Sequence, residues 1–442
     1  MSALQRTLGP VAIWGLGVGY VISGMYFGWN LGLPEGGPYG MLVATAAVTV
    51  LYIAFVLGYA ELTSAIPRAG GVFVYAGRAF GPNVGFVAGM AQLIEYVMAP
   101  TGIAFAIGGY INQVAPAIPI HAVAIAGYIL FTLINMWGVK LSAVFEIALT
   151  VMAVIELCVF GFVVLPHFSW AAFSLDALPN GWWGTFGALP FAIWFYLGIE
   201  GLANVAEDAR DPQRDLPRGF FAAMVTLVIL TVITMFGAVG TAGWHAVVYP
   251  DPAILKTSDS PLPLAIGHVV SRDNPAFVAL TGVGLIGLLA SFLGILIAAS
   301  RAILELGRAR FLPAKLGEVH ATRHTPIAAL AANLVVGLVI LVIGHTEQII
   351  VISVFGALTM YAMSAAAVLR LRKVEPDLER PYKAPLYPYA PIVALVLSLI
   401  CMAAMAKSHP YLALLYLGLL VVSWVGFVLI VPEDRRLTAF RR

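Results

Sequence analysis

Apolar runs long enough to cross a lipid bilayer recur along this 442-residue chain, and the polar segments between them are short. A helix needs about 20 apolar residues to span the hydrocarbon core of a membrane. Hydrophobic residues make up 61% of the chain and charged residues 10%, against roughly 45–50% and about 25% in soluble proteins. A soluble fold of this size has no interior large enough for so much apolar surface. The sequence therefore predicts an all-α integral membrane protein.

Hydropathy divides the chain into twelve predicted transmembrane helices, with no separate soluble domain between them. Cys158 and Cys401 lie inside apolar runs, which indicates small core residues and not a disulfide. The first run lacks the cleavage site of a signal peptide. The predicted spans cover residues 10–33, 40–66, 82–114, 121–138, 141–165, 183–206, 219–243, 274–302, 326–343, 349–371, 391–406 and 411–431.

The positions of lysine and arginine predict the orientation in the membrane. If the N-terminus is cytoplasmic, every cation except Lys256, Arg272 and Lys407 falls on the cytoplasmic side, as the positive-inside rule requires. We therefore expect both termini in the cytoplasm, and spans rich in Ala and Gly are typical of a prokaryotic inner membrane. The net charge of +2 gives no indication of nucleic-acid binding.

Two spans carry small residues where a continuous helix is expected. The first contains Ser23 and Gly24 in the sequence VGYVISGMYFGWN, and the sixth contains Gly198 and Gly201 on either side of Glu200. Glycine in mid-span weakens the helix and frees backbone groups, which survive in a membrane only where they line a cavity. The alternative is that these glycines only allow helices to pack closely.

The two interrupted spans are five apart, which predicts two five-helix repeats of opposite orientation. Such paired interruptions mark the midplane binding site of many secondary transporters. We expect the first repeat in residues 1–165, the second in 166–371, and two peripheral helices with a short tail in 372–442.

Three glutamates lie deep in predicted spans that contain no interior lysine or arginine: Glu95, Glu156 and Glu200. A carboxylate at the centre of a membrane helix costs at least about 2.5–3.5 kcal/mol. Each must be protonated, hydrated, or paired with a cation that the protein does not supply, such as a substrate amine or a coupling ion. For Glu156 the alternative is a structural carboxyl bonded to a neighbouring helix.

Other polar residues refine this interpretation. Glu61 and Glu146 lie near span ends, where a hydrogen bond at the cytoplasmic face is expected. All histidines fall at span ends or in loops, so any proton coupling is expected to use carboxyl groups. Ser291 and Ser300 are candidate ligands for sodium, unless their own helix satisfies their hydroxyls.

Aromatic residues flank both interruptions, and Trp194, Tyr196 and Tyr26 suit a small organic ammonium ion through cation–π attraction. No phosphate-binding GK[ST] loop, CxxC or HExxH metal pattern, or GxSxG nucleophile motif occurs. We therefore expect no cofactor and no metal centre. An intramembrane enzyme remains the alternative from a different class, whereas the paired interruptions disfavour a receptor or channel.

Several blocks of sequence resemble the amino acid–polyamine–organocation (APC) transporters. In chain order these are VISGMYFGWNLGLPEGG, IPRAGGVFVYAGRAFGP, IEGLANVAEDARDPQRDLPRG, SRAILELGRARFLPAKL and RPYKAPLYPYAP. The first block, AQLIEYVMAP and IWFYLGIEG are most similar to the ethanolamine permeases. The resemblance implies a LeuT-like core of ten helices plus two peripheral helices. It also implies alternating access of spans 1 and 6 against a scaffold of spans 3, 4, 8 and 9.

The resemblance also implies roles for single residues. Trp194 and Glu200 match positions that polyamine and basic amino acid exchangers use for substrate cations and gating. Glu95 matches the acid of span 3 in ethanolamine permeases. The whole predicted substrate site consists of Ile22, Ser23, Gly24, Met25, Tyr26, Glu95, Trp194, Tyr196, Gly198 and Glu200.

The function predicted on this basis is coupled import of a small amine, with ethanolamine as the first candidate. The coupling ion is H⁺ or Na⁺, and Glu200, Glu95 and Glu156 are the candidates for proton exchange. The alternative within the superfamily is a symporter or exchanger of amino acids or polyamines.

Overall fold

The structure, a computed structural model, describes residues 8–251 and 253–438, without the side chains of residues 139–144, 435, 437 and 438. Apart from one isolated bridge between Leu8 and Ala209, its regular secondary structure is helical throughout the described part. The α-helices are α1 (Pro10–Val21), α2 (Ser23–Tyr26), α3 (Leu33–Ala65), α4 (Val72–Phe80), α5 (Pro82–Val114), α6 (Ile120–Trp137), α7 (Val139–Val164), α8 (Trp170–Phe173), α9 (Gly184–Trp194), α10 (Pro212–Ala242), α11 (Trp244–Val248), α12 (Pro261–Gly267), α13 (Pro275–Arg308), α14 (Ile327–Ile343), α15 (Thr346–Val374), α16 (Tyr389–Ser408), α17 (Pro410–Ile430) and α18 (Glu433–Thr438).

Within the described residues, ten helical segments have the length and apolar composition of a membrane span. Two shorter apolar segments, Pro10–Tyr26 and Ile327–Ile343, coincide with the first and ninth predicted spans. The protein is thus a multi-pass membrane protein, while the total of twelve spans and the inverted repeat stay predictions. The predicted orientation also stays a prediction. Of the cations counted for it, Arg6, Arg441 and Arg442 lie outside the described residues, and so do the side chains of Lys140 and Arg435.

The first span is interrupted after α1 and again after α2. Ile22, between the two helices, keeps right-handed torsion angles, so the backbone bends little at the predicted serine–glycine pair. The larger departure from helical geometry follows α2, where the Phe27 backbone is extended and Gly28 has a φ of 88°. Glycine adopts this conformation easily because it has no Cβ. The Asn30 side chain accepts a hydrogen bond from the Gly28 N–H at 3.1 Å.

The sixth span is interrupted at the glycine-containing segment. α9 ends at Trp194, a turn follows, and Gly198 adopts a φ of 106°. A 3-10 helix then runs over Ile199–Asp208. The 3-10 geometry leaves poorer backbone hydrogen bonds than an α-helix and is uncommon over so many residues.

Three features differ from the sequence-based expectation. α3 begins at Leu33, inside the expected loop, because the helix continues on both sides of a kink at Gly37, where φ is 62°. The loop after α3 contains α4, a helix too short for a hydropathy window to detect. α13 continues to Arg308, so Arg301 lies within a helix and not at its end.

The two interrupted spans pack against the longest helices of the protein. α1 lies against α7, α10 and α13, whereas α9 lies against α3 and α15. α5 is the central helix, because both α13 and α15 pack along it. α17 contacts only a few elements, and much of its apolar surface faces outward. Lipid is the environment that such a surface requires.

Candidate functional site

The two interrupted spans meet backbone to backbone. A Cβ atom on Gly24 would lie 2.3 Å from the carbonyl oxygen of Trp194, and one on Gly198 would lie 3.0 Å from that of Tyr20. Contact distances this short leave no space for a side chain at Gly24. The approach brings the predicted residues of spans 1 and 6 together in the interior of the protein.

Glu95 and Glu200 lie beside each other at this junction. Glu95 is in the middle of α5 and Glu200 begins the 3-10 segment after α9; both are fully buried. Their carboxyl groups face each other. Apart from the facing carboxyl group, no side chain of the described residues hydrogen-bonds Glu95 or Oε1 of Glu200, and no ion pair found there includes either glutamate. Two carboxyl groups at such close range cannot both carry a charge without a compensating cation or proton.

Two tyrosines hold the carboxyl group of Glu200. The Tyr361 hydroxyl donates to Glu200 Oε2 at 2.9 Å, and the Tyr52 and Tyr361 hydroxyls are 2.8 Å apart. Tyr52 also lies 3.3 Å from the carbonyl oxygen of Ile193, near the end of α9. Sequence reasoning did not find these tyrosines, because nothing distinguishes them among the 17 in the chain.

Trp194 and Tyr196 line the same junction. The Trp194 indole lies against Gly28 of span 1 and Gly102 of α5. Its N–H has no partner within the described part of the chain. The Tyr196 hydroxyl is 2.8 Å from Thr49 Oγ1, which ties it to α3.

Tyr26 and Glu156 form a separate contact. The Tyr26 hydroxyl lies 2.6 Å from Glu156 Oε2 and 3.1 Å from the Ala153 carbonyl, and its ring packs against Gly287 of α13. In this conformation Tyr26 contacts α7 and α13 and does not contact the two facing glutamates. Glu156 thus has a structural partner, as its alternative interpretation states, and its role in proton exchange stays a prediction.

Fewer backbone N–H groups of span 1 are free to bind a ligand than the sequence indicated. The Ile22 N–H donates to the Val18 carbonyl at 2.8 Å, and the Met25 N–H donates to the Ile22 carbonyl at 3.0 Å. These amides are used within span 1 because it stays close to helical up to Tyr26. Of the predicted site residues, Ile22 and Met25 therefore have no free backbone N–H in this conformation, and the predicted role of these residues in binding stays a prediction.

The two sodium candidates do not meet. Ser291 Oγ lies 2.9 Å from the Tyr20 carbonyl oxygen and 2.8 Å from Ser23 Oγ, so it does contact span 1. Ser300 donates to Ile297 of its own helix, as lone hydroxyls in helices commonly do. The described residues include no cluster of three or more His, Cys, Asp or Glu side chains suited to a metal.

Glu146 does not form the hydrogen bond expected of it near a span end. Its side chain is fully buried, and both carboxyl oxygens lack a partner within the described residues. A Cβ on Gly294 would lie 2.3 Å from Oε1, and one on Gly19 would lie 3.2 Å from it. Glu146 is thus covered by α1 and α13. The expectation failed because hydropathy gives the distance from a span end but not which helices cover that face.

Glu61 does make the expected contact at a helix end. Arg372 donates to both of its carboxyl oxygens, at 2.9 and 2.6 Å, and the Ala384 N–H donates to Oε2 at 2.7 Å. Arg380 lies 3.3 Å from Oε1. This cluster joins α3, α15 and the segment before α16.

The junction is closed toward both surfaces. On one side Arg301 of α13 forms an ion pair with Asp208 at the end of the 3-10 segment. On the other side the Asn30 side chain donates to the Ser258 carbonyl at 2.8 Å. The junction is thus enclosed in this conformation.

Asp259 reinforces the closure next to Ser258. It accepts a hydrogen bond from Thr346 at 3.0 Å and lies beside Gly109 of α5. Burial raises the pKa of the Asp259 carboxyl to about 6, although the Thr346 hydrogen bond and Lys256 lower it. Its charge therefore changes within the range of physiological pH.

Comparison with known proteins gives a consistent result. The family model described as amino acid permease matches residues 8–430. An uncharacterised transporter of Rhizobium meliloti is 29% identical over 91% of this chain and 86% of its own length. The branched-chain amino acid permease BcaP of Bacillus subtilis is 24% identical, covering 90% of this chain and 88% of its own. The methylthioribose transporter of the same species is also 24% identical, with coverage of 89% and 87%.

These matches extend over all but the ends of the chain, and the relatives that they name are transport proteins. The chain therefore belongs to the amino acid permease family, and with it to the amino acid–polyamine–organocation superfamily of membrane transporters.

Proposed function

We propose that this protein imports a small primary amine, ethanolamine first, by proton-coupled alternating access across a bacterial inner membrane. The observation that carries the proposal is the pair of buried carboxyl groups, Glu95 and Glu200. They face each other where two helices are interrupted and have no ion-pair partner within the described residues. An ammonium group between them supplies the missing charge, and Trp194 offers an aromatic face beside it.

Alternating access rests on the proposed repeat, with residues 1–165 and 166–371 as its halves and 372–442 as a peripheral pair of helices. In this scheme Glu200 exchanges a proton when the substrate leaves, because the carboxyl pair then needs another source of positive charge. The Tyr361 hydroxyl positions this carboxyl group in the enclosed conformation.

The test is uptake of radiolabelled ethanolamine into proteoliposomes, with Glu95→Gln and Glu200→Gln beside the wild type. Each variant is expected to lose at least about tenfold in uptake, the loss of one charged hydrogen bond. Glu347→Gln is the matched control, because Glu347 is exposed at the start of α15. Normal uptake by both buried-site variants would overturn the proposal.

An amino acid substrate is the second candidate, supported by the name of the Bacillus subtilis branched-chain permease. Competition by leucine, arginine and putrescine distinguishes it from an amine importer. An inward proton gradient is expected to drive uptake, and a protonophore to abolish it. An intramembrane enzyme would instead form product in detergent, with no gradient or compartment.

A further inference from the structure

A deep groove lies on the outside of the helical bundle, away from the interrupted spans. Its volume is about 520 Å³. It is bounded by the first turns of α5, the segment after α13 and the last turns of α17. The residues that define it are Phe86, Arg310, Phe311, Val422, Gly426 and Ile430.

One wall of the groove belongs to the lipid-facing surface. Val422 and Ile430 of α17 are 73% and 80% exposed. They are eight residues apart, so this wall extends about 12 Å along the helix. Phe86 of α5 stacks on Phe427 of α17 with the ring centres 4.2 Å apart. The groove thus has the length and the apolar walls that part of an acyl chain requires.

The groove carries positive charge at one end. Arg310 is exposed, and its guanidinium has no hydrogen bond or ion pair within the described part of the chain. Its φ is 61°, a left-handed conformation that residues other than glycine seldom adopt and that often marks a functional position. Among the described residues, no acidic side chain lines the groove.

The groove lies at the membrane surface, because α5 begins, and α13 and α17 end, next to it. The distribution of cations predicts that these ends face the cytoplasm. Bacterial cytoplasmic leaflets contain anionic lipids, whose phosphates attract such cations.

We propose that this groove binds one anionic phospholipid of the cytoplasmic leaflet. Its acyl chain lies along α17 between Phe86 and Val422, and its phosphate meets Arg310. This site is independent of the proposed substrate and uses none of its residues.

The test is thermal unfolding of the full-length protein in detergent, with phosphatidylglycerol or phosphatidylcholine added at equal concentration. Gly426→Leu fills the groove, since a Cβ there meets no atom within 4 Å. Gly418→Leu is its control on the same helix, where a Cβ also meets nothing within 4 Å. Arg310→Gln removes the charge, and Arg323→Gln removes another exposed cation from a segment outside the groove.

Phosphatidylglycerol is expected to raise the Tm of the wild type and both controls, and phosphatidylcholine much less. The shift should vanish in Gly426→Leu and shrink in Arg310→Gln. Native mass spectrometry should show one retained anionic lipid that Gly426→Leu loses. Equal shifts in all proteins, or equal effects of both lipids, would overturn the proposal. A lipid-free dimer broken by Gly426→Leu would assign the groove to a second copy and equally overturn it.

Discussion

The Tyr361 hydroxyl is the side-chain group in direct contact with the paired carboxyls, through its 2.9 Å hydrogen bond to Glu200. It helps to hold the Glu200 carboxyl group in the orientation that the structure shows. A hydrogen bond to a charged group contributes about 1.5–3 kcal/mol. Its loss is expected to affect transport more than folding, because the phenyl ring still fills the same space.

We predict that Tyr361→Phe lowers uptake about tenfold with little change in Tm. Tyr416→Phe is the matched control, because the buried Tyr416 hydroxyl bonds Thr359 at 2.8 Å and not a carboxyl group. Initial rates in proteoliposomes provide the measurement. Equal rates for the two variants would show that the Glu200 contact has no part in transport.

The sequence identified Glu95, Glu200 and Trp194 as candidates because acids and aromatic residues in apolar runs require a partner. It did not identify Tyr361 and Tyr52, whose relevance depends on a neighbour more than a hundred residues away in the chain. The roles of Glu95, Glu200 and Trp194 in substrate binding stay predictions. What hydropathy lacks is the rotation of each helix about its axis, which decides whether a polar side chain faces a cavity, a helix or lipid.

At the scale of elements, several span ends were predictable because apolar length determines them, and α5 begins and ends where expected. Where a helix continues into polar sequence, as at the start of α3 and the end of α13, the prediction missed its end by six or seven residues. The position of the main bend in span 1 could not be predicted from the sequence. The backbone turns at Gly28, beyond the predicted serine–glycine pair, because the Asn30 side chain and the Trp194 ring favour that turn. These are tertiary contacts, and they leave no periodic pattern in the sequence from which the bend could be predicted.

The contact between the interrupted spans depends on the absence of a side chain at Gly24. We predict that Gly24→Ala lowers both Tm and uptake, because its Cβ would lie 2.3 Å from the Trp194 carbonyl oxygen. Gly282→Ala in α13 is the control, since its Cβ meets no atom within 4 Å, and alanine favours helix there. Wild-type Tm in Gly24→Ala would mean that the two spans are not held in this contact.

The Glu61 cluster joins three elements and is mostly buried. We predict that Glu61→Gln lowers the free energy of unfolding by about 3 kcal/mol, because it leaves the charge of Arg380 without its partner. By comparison, the Arg78–Glu375 pair is part-exposed, so Glu375→Gln should cost at most about 1 kcal/mol. Thermal unfolding of both variants measures the difference, and equal losses would contradict it.

For the whole molecule, the closure at Ser258 lies next to Asp259, a residue that titrates near physiological pH. The folded pKa of Asp259 is about 6, above the value of about 3.9 expected in the unfolded chain. The folded state therefore binds the proton more tightly. The stability that this proton provides is present below about pH 4 and is lost as pH rises through about 6.

We predict that the Tm difference between wild type and Asp259→Asn changes between about pH 4 and 6 and is constant above that range. Wild type should lose stability relative to the variant as pH rises. Asp273→Asn, at an exposed loop position, should follow the wild type. Parallel pH profiles of wild type and Asp259→Asn would mean that Asp259 stays exposed to solvent.

The meeting of backbone with backbone at Gly24 and Gly198 has a mechanical consequence. A contact between side chains can be relieved by a change of rotamer. A contact between backbones cannot, because glycine has no side chain that could move away. We therefore expect a rearrangement that opens the enclosed junction to move both interrupted segments together as one body. In the proposed transport cycle, the groups that bind the substrate and the segments that open its site then belong to the same moving unit.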